Sequence, residues 1–368
     1  MKKGLIYVLI IGLLLSFVGC KQETPEPPAP EAPKYVYGDS TTHPYLDIDD
    51  DGAIFCIDTS ITKAEIPDYF NGIKVTSIGE AAFCGCSSLT SVTIPSGVTS
   101  IGDDAFDSCY ALESVVIPNS VESIGDRAFM DCEGLESVTI PDSIKTIGKH
   151  AFYLCSSLVS IDIPSSVETI GDYAFCCCES LESVTLPNGI TSIGEGTFDA
   201  CMSLKSVVIP NSVTTIGEAA FYDCTSLTSV TIPDGVTAIG EAAFYQCSSI
   251  KSINIPSGLK SIEDYAFFAS GLESVIIPDG VESIGVSAFE QCMSLESVTI
   301  PNSVESIGKD AFMDCESLES INIPASVTSI GDKTFTGCSA LTKIYVDQNK
   351  NSITGAPWGA TGATVYWI

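Results

Sequence analysis

The stretch "SVVIPNSVESIGDRAFMDC", residues 114–132, carries no histidine, no aspartate paired with a nucleophile and no glycine loop of the phosphate-binding kind. From residue 78 onward the chain rewrites it with a period of 23. Phenylalanine recurs twelve times, from 83, 106 and 129 through to 335, with a single step shortened to 22. Proline keeps pace at 95, 118, 141 and onward to 324. Written from one unit, the pattern is Leu112-x-x-Val115-x-Ile117-Pro118-x-x-Val121-x-x-Ile124-Gly125-x-x-Ala128-Phe129-x-x-Cys132. A fixed period of 20 to 29 residues with this apolar spacing is the mark of a solenoid in which each unit is one coil stacked on the next.

Each position has a mechanical reading. Alternation at Leu112, Val115 and Ile117 predicts a short strand whose inward side chains stack on their equivalents one coil away, building a parallel sheet at about 4.8 Å per coil. Pro118 has no amide hydrogen, so the strand must stop at Ile117 and turn through "PNS". Val121 and Ile124 aim inward from the next side. Gly125 suits a corner needing positive φ, and "DRAF" is expected to form a tight helical turn that buries Ala128 and Phe129.

The composition agrees with this and excludes several functions. Charged residues are 17% of the chain and hydrophobic ones 45%, which favours ordered β-rich structure over coiled coil or disorder. The formal charge of −31 repels phosphate backbones, so nucleic acid is not an expected partner. Lys2 and Lys3 precede an apolar run from Leu5 to Val18, too short for a comfortable membrane span, and residues 1–19 read as a secretory signal. The run ends in "SFVGC", which resembles the lipobox of bacterial lipoproteins. Cys20 would then become the acylated amino terminus, with residues 20–34 an extended Pro/Glu tether. The remaining divisions are an amino-terminal cap with a first degenerate repeat over 35–77, the repeats over 78–341, and a carboxyl-terminal cap over 342–368. That last segment holds both tryptophans and would cover the open end of the stack.

Eleven cysteines share one place in the coil, Cys132 among them. Stacked coils bring such residues near disulfide distance, but a parallel column offers no preferred pairing, so free buried thiols are expected. The run Cys176–Cys178 has no histidine nearby and no zinc-type spacing, and no cofactor is expected.

Units such as "LTSVTIPSGVTSIGDDAFDSC", residues 89–109, look like the BspA-like leucine-rich repeats of bacterial surface proteins, over residues 61 to 341 or so. The resemblance implies a leucine-rich repeat solenoid: a right-handed coil of about twelve 23-residue repeats, with a parallel sheet on the concave face and short helical turns or irregular segments opposite. Members are surface-attached or secreted, some bind host matrix proteins or take part in coaggregation, and none is known for catalysis. The chain departs from the pattern at Glu263, where glycine is expected, and at Ala269–Gly271, where a residue and the cysteine are missing, so that coil is expected to bulge or kink.

Candidate chemistry is sparse. The two histidines, His43 and His150, sit outside the repeated columns and read as solvated side chains, and the glutamate columns read as solvated edges broken by lysines. "DIDDDGAIFCID" places Asp47, Asp49, Asp51 and Asp58 at calcium-loop spacing, but without flanking helices; a hairpin with an Asp-Gly turn is the simpler reading. On the concave face one outward column is almost entirely serine. The next is mostly small and uncharged, leaving Asp162, Asn254, Asn322 and Tyr345 as candidate binding residues. The expectation is a monomeric surface protein, tethered to the outer membrane by its lipid or else secreted. It would bind extracellular or cell-surface proteins; a shielding role without a dedicated ligand is the alternative.

Overall fold

The computed structural model describes residues 36–349 and 352–368; the signal, Cys20 and the tether lie outside the described residues. The described residues form a parallel β-solenoid of about fourteen turns, two more than the phenylalanine column counts. The additional turns come from each end. Ala53–Cys56 pairs in parallel with Ser77–Ile78, and Lys63–Glu65 with Ser91–Thr93, ahead of the first regular unit. At the other end Thr364–Trp367 pairs in parallel with Lys343–Val346.

Each regular coil contributes two short strands. Ser114–Val116 aligns residue for residue with Ser91–Thr93 before it and Ser137–Thr139 after it, and Ser123–Ile124 aligns in the same way with its own neighbours. Unbroken 23-residue spacing holds this register, because a slip of one residue would turn Val115 outward. Pro118 ends the first strand, and its carbonyl accepts the Val121 amide at 3.0 Å.

The third side is where expectation and structure part. "DRAF" buries Ala128 and Phe129 as expected, but the described residues contain no helix. Consecutive tight turns replace it, with Arg127 at φ 54° and Asp131 at φ 55°. Nearly every coil repeats this pair of left-handed residues, most of them non-glycine. Such conformations cost free energy in isolation. Here the amides of Arg127, Phe129 and Asp131 donate to Lys149, Ala151 and Tyr153 of the following coil at 2.8 Å, and that ladder holds the backbone in place. Gly125 is therefore not the positive-φ corner. A Cβ there would lie 2.6 Å from the Gly102 carbonyl carbon and 2.7 Å from the Asp103 amide nitrogen, so glycine is required by the close approach of neighbouring coils.

The core is one continuous column structure. The twelve phenylalanines stack with centroids 5.1 to 5.9 Å apart and nearly parallel planes, and Trp358 closes the stack edge-on against Phe335 at 6.3 Å. Trp358 is buried, its indole N–H donates to the Thr354 carbonyl at 2.8 Å and its own carbonyl accepts the Phe335 amide at 2.9 Å. The cysteine column is free thiol throughout. Cys132 Sγ donates to the Phe106 carbonyl of the preceding coil at 3.2 Å, and the contact repeats from Cys109 to Cys338. Burial pushes these thiols up, Cys109 to about 12, which keeps the donated proton in place. Cys86 is the exception. No phenylalanine precedes it by one coil, and it donates to Cys56 Sγ at 3.7 Å instead.

Candidate functional site

On the concave face the first strands should form one ladder, but it is interrupted. Lys63–Glu65 through Ser137–Thr139 make one sheet, Ser160–Asp162 through Ser229–Thr231 a second, Ser274–Ile276 with Ser297–Thr299 a third, and Ser320–Ile323 onward a fourth. Residues 251–256 form no strand. Each break falls at the coil carrying Asp162, Asn254 or Asn322 in a column held from Thr93 to Thr299 otherwise by Thr, Val or Ile and ending in Tyr345. Aspartate and asparagine are poor strand formers, since their short polar side chains compete for backbone hydrogen bonds.

At Asn254 that competition is visible. Its Oδ1 accepts the Ile232 amide at 3.0 Å and its Nδ2 donates to the Ile232 carbonyl at 2.6 Å, so one side-chain amide stands in for a strand. Just beyond lies the shortened coil, where Ala269–Gly271 span the place of a longer connection. Ser270 occupies the missing cysteine's place, buried, with its Oγ 3.2 Å from Cys292 Sγ. A Cβ on Gly271 would lie 2.1 Å from the Ser248 carbonyl oxygen, so the shortened connector runs against the coil before it. On the concave face a slot of about 400 Å³ lies between coils, lined by Ser252, Ile253, Asn254, Ile255, Ser274, Ile276 and Pro278. Ile276 stands 73% exposed on its rim.

The other sequence-selected residues lie apart from this slot. Asp162 is exposed beside a smaller cavity of about 160 Å³ at the first break. Asn322 donates through Nδ2 to Asp347 Oδ2 at 3.2 Å. Tyr345 stacks on Tyr366 at 5.4 Å, a pair that the alternation of Val365 and Trp367 could have revealed by placing Tyr366 on the same face. The acidic loop is a hairpin: Leu46–Ile48 pairs antiparallel with Ala53–Cys56. Asp49 Oδ1 accepts the amides of Asp51 and Ala53, and Asp58 Oδ1 accepts the Ser60 hydroxyl. Asp47, Asp49, Asp51 and Asp58 are not brought together, and no group of three or more metal-binding side chains occurs among the described residues.

A second aromatic feature lies on the turn side, outside the columns from which the sequence-based candidates come. His150 is half-buried and stacked on Tyr173 at 5.1 Å, with Tyr153 edge-on to it at 5.6 Å. Tyr222, Tyr245 and Phe268 form a parallel stack at 4.4 Å spacing farther along. The signal was available in the positions two before and one after each phenylalanine of the column.

Among the described residues no helix is long and apolar enough to cross a membrane. No curated protein matches the chain. A leucine-rich repeat protein from Bacteroides ovatus is 31% identical, with 88% of this chain and 97% of that one covered and a TM-score of 0.61. A leucine rich cell surface protein from Faecalibacterium prausnitzii is also 31% identical, covering 88% and 92%, with a TM-score of 0.55. The pneumococcal vaccine antigen PcpA shares the fold at 22% identity and a TM-score of 0.59, covering 90% of this chain and 89% of that one. The family described as BspA type Leucine rich repeat region matches over residues 52–179, 168–292 and 260–357, which together span most of the solenoid, and the chain belongs to that family.

Proposed function

We propose that the chain is a cell-surface binding module that engages extracellular or neighbouring-cell proteins through its concave face. Its lipid anchor would be Cys20. The slot at Asn254 carries this reading: it combines an exposed Ile276 with the hydroxyls of Ser252 and Ser274 and backbone that no strand pairs. Apolar surface with unpaired backbone groups at its centre is what an extended segment of a partner can use. The family relationship and the cell-surface protein of Faecalibacterium prausnitzii support the location.

The test is a pull-down with the ectodomain, residues 36–368, from matrix and bacterial-surface extracts, with and without calcium. Ile276→Glu and Asn254→Lys are the paired variants. Saturable capture that both variants abolish supports the concave-face reading. Capture that neither alters would refute it, and an empty screen favours a shielding coat, for which the uniform serine column is the motivating observation. Incorporation of labelled fatty acid that Cys20→Ser abolishes tests the anchor.

A further inference from the structure

On the turn side a groove of about 410 Å³ runs between two columns of side chains, lined by Arg127, Met130, His150, Tyr153, Tyr173 and Cys176, with Asp199 among its walls. Its shape follows from the repeat. In the position after the column phenylalanine, Tyr153 is followed one coil on by Cys176 and two coils on by Asp199, both shorter, before Tyr222 and Tyr245 resume the row. Tyr153 therefore has no ring stacked on it within its own column, whereas Tyr245 is stacked on both sides.

The charges around the groove are one-sided. Arg127 is already bound to Asp104, with Nε to Oδ1 at 2.6 Å and Nη2 to Oδ2 at 2.9 Å, and Lys149 nearby is paired with Asp172 at 2.8 Å. Asp199 has no ion-pair partner among the described residues; its carboxyl accepts from the Cys176 thiol at 3.6 Å and from the Ala200 amide. Asp199 is half-buried, so its charge is poorly solvated, and burial raises its carboxyl above the usual range. Tyr173 donates its hydroxyl to Glu195 at 2.6 Å, adding another acid on the same flank.

We propose that this groove is a docking site for a cationic side chain, the ammonium of a lysine or the guanidinium of an arginine, presented by a basic partner protein. Ring faces attract a cation through their quadrupole. The unpaired Asp199 supplies the counter-charge, and the −31 field of the chain raises the local concentration of basic partners. A neutral sugar would gain the rings alone, and an anion would be repelled. The site lies on the turn side, apart from the concave slot, and stands whether or not that slot binds.

The probe is acetyl-tetralysine amide, titrated into the ectodomain at low and physiological salt while selectively labelled tyrosine rings are followed by NMR. Saturable shifts of the Tyr153 and Tyr173 rings are expected. Tyr153→Leu, which leaves net charge unchanged, should weaken binding about fivefold, as should Asp199→Asn, while Tyr245→Leu should not. Melting curves of the variants establish that each is folded. Equal binding to all three variants would mean that the peptide follows the overall charge and would overturn the proposal. So would an oligosaccharide such as cellohexaose shifting the same rings where tetralysine does not.

Discussion

Two coils one hundred and thirty-odd residues apart show what the repeat protects and what it leaves free. Around residues 109–132 both strands pair on both sides and every column is filled. Around 247–272 one residue is missing, glycine is replaced by Glu263, cysteine by Ser270, and the concave strand is gone. Yet Phe267 stays in the stack, 5.7 Å from Phe244 and 5.4 Å from Phe289, and is 1% exposed. Losing a residue from the connector is absorbed by the surface ladder, because interior packing is lost at greater cost than a short edge of backbone pairing that water can re-solvate.

The largest effect that could break this comparison is in the stack. Phe129→Ala and Phe267→Ala should each cost about 3–5 kcal/mol in chemical denaturation. A far smaller loss at Phe267 would show that the interior is not continuous through the irregular coil. Next, Gly125→Ala should cost about 1–3 kcal/mol, because its methyl meets backbone of the preceding coil. Gly235→Ala, with nothing nearer than 3.7 Å, should stay within about 0.5 kcal/mol, and similar melting of the two would refute the close-approach account.

Repairing the irregular coil sharpens the contrast. Ser270→Cys with one serine inserted after it should let residues 252–254 pair, slowing their amide exchange about tenfold; unchanged exchange would mean the connector length is not what opens the slot. The smallest effect is chemical. Cys86 donates its S–H to Cys56 Sγ, and that hydrogen bond lowers the Cys56 thiol below an ordinary cysteine, which favours its thiolate. Alkylation of the folded protein should mark Cys56 at a lower pH than an ordinary exposed thiol and leave the Cys109-to-Cys338 column intact until unfolding. Labelling of the column in the native state would contradict its burial.

The sequence carried the interior almost completely. Leu112, Val115, Ile117, Val121, Ile124, Ala128, Phe129 and Cys132 are all buried, as their spacing requires. Backbone conformation was less legible. Positive φ was assigned to Gly125 on glycine's tolerance, whereas it falls on residues such as Arg127 and Asp131, whose strain is offset by bonds to the next coil that no single unit reveals. A helical turn was expected for the same reason, since local propensity gives no hint of partners 22 residues away. Asn254 stands out in the sequence as one polar residue in a column, but its bonds to Ile232, 22 residues away, and the slot beside it depend on neighbouring coils that no single unit reveals.

The turn-side ladder gives one flank of the solenoid an electric polarity. In coil after coil, amides such as those of Arg127, Phe129 and Asp131 all aim toward the carboxyl end, while Glu122 and Gly125 on another flank aim back. Peptide dipoles aligned along an axis add. That flank therefore accumulates partial positive charge at its carboxyl end and partial negative charge at its amino end, the reverse of an α-helix traversed in the same direction. The Trp358 carbonyl, accepting the Phe335 amide, is placed where it offsets part of that charge.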